Sequence, residues 1–348
     1  MGRTRRPALL ALAAALGACS APPDAGRTRP EAVRTTPFPQ RDARVLGLRV
    51  RYVDVGPTDA GTPALPLLLI PGHTSRVEEY DGLVPVLARR HRVVVLDYPG
   101  SGFAEKPDRE YSLALYEGVS TALLDQLGIG RAHLAGGSLG GNLVLRLGHR
   151  YPDRFERLAP WAPGSAWQAS PRVGRALRAL RGYPLFWPIV WIQSRYWYGK
   201  DWPGRDAALA DTFAYYREVM GPGFVRMYFE MAADQVERSL FPIAPAIRQP
   251  VWLGWGDQDD GAGMGAGVAK LAELLPRCEL RVFPGARHSL AAEIPAELAG
   301  AIEEFLTRPE HGLPGRAAAR EDRGAAGRRL AHTPDTPFLA RPGEGEDP

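Results

Sequence analysis

Short apolar runs alternate with segments of helical spacing over most of the chain, and this rhythm predicts a parallel α/β sheet. Residues 65–70 form a continuous apolar run, as expected of a strand buried on both faces. Residues 92–97 repeat it with three valines and Leu96. Residues 45–55 alternate apolar and polar positions and read as an opening strand. Residues 132–135 are a further short run. Residues 84–90 and 113–127 carry helical spacing. The strand pattern returns at 250–255 and 279–283, and 297–306 reads as a closing helix.

Residues 165–245 break the rhythm. They hold Trp167, Trp187, Trp191, Trp197 and Trp202 with many Tyr and Phe, and no strand pattern. We read them as a helical cap inserted between two parts of one core, 45–164 and 246–306. Residues 19–44, rich in Pro, Arg, Thr and Ala, read as a flexible tether, and 307–348 as a disordered tail. There is no internal repeat.

Residues 1–18 read as a leader. Arg3, Arg5 and Arg6 precede an apolar stretch, 8–16, that is too short to span a bilayer. The run Leu16, Gly17, Ala18, Cys19 resembles a bacterial lipobox. That resemblance implies cleavage before Cys19, lipidation of its thiol and a membrane anchor outside the cytoplasm. Ser20, rather than Asp, implies sorting to an outer membrane where one exists. Cys278 is the only other cysteine, lies in a strand pattern, and is expected to be a buried structural thiol.

The formal charge of +4 is unevenly placed. Residues 1–44 carry eight arginines against three acids, whereas 45–307 carry 28 basic and 29 acidic groups. The folded part therefore lacks the clustered basic footprint of a nucleic-acid binder.

The chemistry is concentrated at Ser138, in the run Gly136, Gly137, Ser138, Leu139, Gly140. Gly-x-Ser-x-Gly between a strand and a helix presents the serine on a sharp turn. A serine hydroxyl needs a base within hydrogen-bond reach. Of seven histidines, His288 alone follows a strand late in the chain and opens a loop at the sheet end. The base needs an acid to hold its tautomer. Residues 252–256 run as a strand into Asp257, Asp259 and Asp260, and all three are candidates. The order serine, acid, histidine is that of the α/β hydrolases rather than of the common serine proteases.

Residues 45–306 resemble the α/β-hydrolase fold superfamily. The resemblance rests on Pro71-Gly72-His73, on the turn from Asp97 through Pro99 and Gly100 to Gly102, on the serine elbow, on Trp255-Gly256-Asp257-Gln258-Asp259, and on His288 with Glu293-Ile294-Pro295 beyond it. It implies a mostly parallel, doubly wound sheet with an inserted cap. It implies Asp259 as the acid, and backbone N–H groups of His73 and Leu139 as the oxyanion hole. No cofactor and no metal is implied. Three departures stand out. Pro71 stands where many relatives have His, and Arg287 where many have Gly. A glycine run, 261–267, follows the acid and reads as a mobile loop beside Asp259.

Relatives that cleave epoxides and haloalkanes carry Asp at the nucleophile position. Serine at 138 points instead to acyl chemistry: a carboxylesterase or lipase-like enzyme for a small apolar acyl substrate. A carbon–carbon bond hydrolase with the same triad and a non-catalytic binding lipoprotein are the alternatives. Arg172, Arg175, Arg178 and Arg181 recur every three residues and are expected on a solvated face or against lipid headgroups.

Overall fold

The computed structural model describes residues 33–59, 64–179, 183–259 and 264–310. The leader, Cys19, Asp260, Arg181 and most of the tail lie outside the described residues.

Eight strands form one sheet: β1 (Gln40–Val45), β2 (Leu48–Val55), β3 (Leu67–Ile70), β4 (Val93–Leu96), β5 (Ala132–Gly137), β6 (Phe155–Trp161), β7 (Val251–Gly256) and β8 (Cys278–Phe283). Their order is β1-β2-β4-β3-β5-β6-β7-β8. The first two strands pair antiparallel with their neighbours, and from β4 to β8 all pairing is parallel. Every residue of β3, β4 and β5 is buried. That is why those strands read as continuous apolar runs rather than alternations. Cys278 opens β8 as a buried thiol.

Helices α1 (Val84–Leu87), α2 (Leu113–Gln126), α3 (Leu139–Arg150), α8 (Met264–Leu274), α9 (Leu290–Glu293) and α10 (Pro295–Thr307) belong to the core. Between β6 and β7 the chain forms α4 (Pro171–Ala179), α5 (Tyr183–Trp197), α6 (Arg205–Val219) and α7 (Pro222–Glu237). Two buried carboxylates fasten α7 to the core. Glu230 accepts from the Tyr111 N–H at 2.7 Å, and Asp234 from the Leu113 N–H, the first residue of α2, at 2.8 Å. An N–H in a first helical turn has no partner inside its helix, so Asp234 supplies one.

The structure departs from the sequence reading in five places. The expected opening strand is the second arm of a hairpin, turned at Leu46 and Gly47, both at positive φ. Its first arm, β1, falls inside the expected tether, 19–44. β1 is an exposed edge strand rich in Arg and Asp, so it carries no apolar alternation. Residues before it are also held, since Thr36 donates to Asp81 at 2.7 Å and Arg34 to the Glu78 carbonyl at 2.7 Å. β6 has no counterpart in the pattern. Its Pro160 removes a ladder donor, yet both flanking strands pair with it.

The glycine run after Asp259 is not a loop throughout. Met264 to Gly267 start α8, and a Cβ on Gly267 would lie 1.8 Å from the Ala166 carbonyl oxygen. That glycine serves close packing. The arginine series also splits. Arg172 and Arg175 are exposed, but Arg178 pairs with Glu237 on α7 at 2.7 Å and does not face outward with them.

Candidate active site

Ser138 stands between β5 and α3 with φ 55 and ψ −119. A non-glycine residue held there stores about 1–3 kcal/mol of strain. Its surroundings fix it. The Ser138 N–H donates to the Trp161 carbonyl at 3.1 Å, and its own carbonyl accepts from Asn142 at 3.0 Å and Gly164 at 2.9 Å. The glycines around it permit the approach of strand and helix. A Cβ on Gly140 would lie 1.9 Å from the Ile70 carbonyl oxygen, and one on Gly136 would lie 2.7 Å from the same atom. Ser138 is thereby lifted clear of the sheet at the carboxyl ends of β3 and β5, where ligands of parallel sheets bind.

Asp259 lies three residues beyond β7, its N–H turned back onto the Gly256 carbonyl at 3.0 Å. His288 follows β8 after a turn at Gly285. The two meet: His288 Nδ1 lies 2.8 Å from Asp259 Oδ2, with the carboxylate 1% exposed and the imidazole 21%. An Nδ1–H donated to Asp259 leaves Nε2 as the free basic nitrogen. Burial disfavours the imidazolium, but the charge and hydrogen bond of Asp259, with Glu79 and Glu293 beyond, outweigh it and raise the pKa above the usual histidine value. Asp257 has another role. It accepts from the Gly285 N–H at 2.8 Å and shapes the turn before the histidine. The cap reaches the same loop, because the Ser289 N–H donates to the Trp197 carbonyl on α5 at 2.9 Å.

Pro71, Gly72, His73 and Thr74 follow β3 and lie beside the elbow. A Cβ on Gly72 would lie 3.6 Å from Ser138 Cβ. Thr74 holds a positive φ of 61, and its hydroxyl shares a 2.6 Å hydrogen bond with Tyr216 on α6. Leu139 is the first residue of α3, where an N–H has no partner within the helix. The His73 ring stacks on Tyr228 at 5.0 Å. Burial lowers its pKa to about 4, so the ring is neutral at neutral pH.

Ser138, Asp259, His288 and His73 all line one cavity of about 1080 Å³ between sheet and cap. The cap aromatics divide into two sets. Phe186 is fully buried and packs as cap core on Phe224 and on Tyr216 and Tyr228, whose other sides line the cavity. Trp167, Trp197, Tyr198 and Trp202 line the cavity. Glu79 also lines it, a residue that the sequence pattern does not single out. It sits in a single 3-10 turn, Val77–Tyr80, with no periodic signal; its closeness to the Pro71–Gly72–His73 motif is the one clue the sequence offers. Burial raises the Glu79 carboxyl to about 7, against the lowering effects of the Gly72 N–H, His288, Arg34 and Arg76.

A mostly parallel eight-stranded sheet with a serine elbow after β5, an acid after β7 and a histidine after β8 is the α/β-hydrolase fold. Comparison with known proteins agrees: residues 66–172 match the α/β hydrolase fold family. The chain is similar to 2-hydroxymuconate semialdehyde hydrolase of Pseudomonas sp. (strain CF600), at 26% identity over 290 residues, 80% of this chain and 98% of that protein. It is 38% identical to a haloalkane dehalogenase of Psychrobacter cryohalolentis over 121 residues, 34% of this chain and 39% of that protein. Among solved structures, the enol-lactonase from Burkholderia xenovorans LB400 superposes with a TM-score of 0.67 at 23% identity, covering 77% of this chain and all of that one.

Proposed function

We propose that the protein is a serine hydrolase that cleaves an apolar carboxylic ester through an acyl-enzyme on Ser138. One observation carries the reading: a strained serine shares a cavity with a histidine whose Nδ1 is bound to a buried carboxylate at 2.8 Å. In this mechanism Nε2 of His288 takes the Ser138 proton as the oxygen attacks the acyl carbonyl. The imidazolium, held by Asp259, then protonates the departing alcohol. Water repeats the sequence on the acyl-enzyme, with His288 again as base. The N–H groups of His73 and Leu139 stabilise the oxyanion, each worth about 10²–10³ in rate. The aromatic wall of Trp167, Trp197, Tyr198 and Trp202 takes the apolar part of the substrate.

The test is turnover of short-chain p-nitrophenyl esters by the wild type and by Ser138→Ala. Loss of turnover in the variant supports the reading. Activity that survives the change overturns it. Faster cleavage of a diketone acid than of any ester would instead assign a carbon–carbon hydrolase. We further propose, from the leader and its lipobox, that the enzyme is exported and tethered by lipid at Cys19.

A further inference from the structure

Besides Asp259, the cavity lining includes Glu78, Glu79 and Asp211, carboxyls that the triad does not use. Glu79 lies in the turn Val77–Tyr80, which follows the loop after β3. Its neighbour Glu78 is fully engaged, accepting from Arg51 at 2.8 Å through each oxygen and from the Thr36 N–H. Glu79 is not: among the described residues, its Oε2 is buried without a hydrogen-bond partner. A structural carboxylate in a fold interior is ordinarily satisfied, and an orphan costs free energy. The position of Glu79 is also specific. A point one Cβ beyond Gly72 lies 3.9 Å from Glu79 Oε1 and 3.6 Å from Ser138 Cβ. Glu79 and Ser138 therefore both flank Gly72, and both line the cavity.

We propose that Glu79 is a specificity-determining residue that selects uncharged or cationic substrates and rejects those with a carboxylate near the scissile bond. This rests on the serine-hydrolase reading and names its substrate class. The physical reason is charge. The cavity is lined by aromatic rings and also by Arg34, Arg76 and Arg287, and an ionised Glu79 repels a substrate anion there more strongly than it would in water. A neutral ester meets no such repulsion, and a cationic group is drawn to the same charge. The groups facing Glu79 are His288, Arg34 and Arg76, with Tyr80 on its own turn and Tyr198 and Tyr216 from the cap. Arg76 is already held by Asp211, and Arg34 by Asp81. Because the carboxyl is raised to about 7, rejection is weak below that pH and full above it.

The test uses the full chain and reads covalent labelling of Ser138, which does not require ester turnover. Labelling rates are measured from about pH 5.5 to 8.5, a window that brackets the Glu79 ionisation. Two fluorophosphonates of equal length are compared, one uncharged and one with a carboxylate near phosphorus. In the wild type the neutral-to-anionic rate ratio rises about tenfold as pH passes through the Glu79 ionisation. Glu79→Gln flattens that rise, and Glu79→Asp restores it. Glu79→Gln also shifts the His288 titration, but both probes need the basic form of His288, so that effect cancels in the ratio and the difference belongs to Glu79. A wild-type ratio that is flat across this window overturns the proposal without any variant. So does a rise that persists in Glu79→Gln. Labelling without turnover of any ester would sink the ester reading alone, and the ratio would still decide the role of Glu79. No labelling of Ser138 by either probe overturns both.

Discussion

Arg51 donates through Nε to Asp97 at 2.6 Å, and both side chains are buried. Asp97 also accepts from the N–H groups of Val77 at 2.8 Å and Phe103 at 2.7 Å. One carboxylate thus joins β2, the turn that carries Glu79, and the turn at Gly102. Gly102 has a positive φ, and a Cβ there would lie 2.1 Å from Asp97 Cγ. Arg51→Met is expected to destabilise the fold by about 3–5 kcal/mol, because it leaves Asp97 buried without its bound cation and Glu78 with only Arg76 at 3.8 Å. Denaturant titration checks this, and a midpoint equal to wild type would contradict it.

The elbow makes a second prediction. Gly140→Ala places a methyl where the Ile70 carbonyl already stands, 1.9 Å from its oxygen. The expected cost is about 3 kcal/mol or more, since backbone on both sides must move. Any folded protein is expected to label poorly at Ser138. Near-native stability with native labelling would show that the elbow is looser than its geometry.

Asp259 is the aspartate in contact with His288, and its proposed role as the acid is tested against Asp257 by mutation. Asp259→Asn is expected to lower kcat by about 10³–10⁴, because the amide holds the wrong tautomer of His288. Asp257→Asn disturbs only the Gly285 turn and is expected to have a far smaller effect. Equal losses in the two variants would reassign the acid.

The pH dependence follows from His288. Its pKa is raised in the folded protein, so the basic form is lost at a higher pH than in a free histidine. The acid limb of kcat/KM is expected above about pH 6.5. Glu79, raised to about 7 and interacting with His288, contributes to the same profile, so the steps observed belong to the pair. In Asp259→Asn the raising charge is gone while burial still disfavours the imidazolium, so the limb moves to lower pH. An unmoved limb would show that another group controls it.

Much of the fold and most of the site are legible in the amino-acid sequence. The buried strands β3, β4 and β7 read as strands because both of their faces are covered. Ser138 is readable because its sharp turn needs glycines in fixed places, and His288 because it opens a loop after a late strand pattern. Asp259 needs more, since three aspartates follow β7 and the choice among them comes from resemblance to a known fold; its contact with His288 is what the structure adds. β1 and β6 are hidden for opposite reasons, one too polar and one broken by Pro160. Glu79 is hidden because its meaning depends on Gly72 and Ser138, which only the folded chain brings beside it. The cap aromatics are visible as composition, but their division between core and cavity wall depends on packing.

The central claim is covalent chemistry at Ser138. Intact-mass measurement after rapid acid quench of the enzyme with a p-nitrophenyl ester tests it most directly. The account predicts a transient mass increase equal to the acyl group, mapped to the peptide containing Ser138 and absent in Ser138→Ala. An acyl adduct on another residue, or ester turnover with no adduct at any quench time, would contradict it.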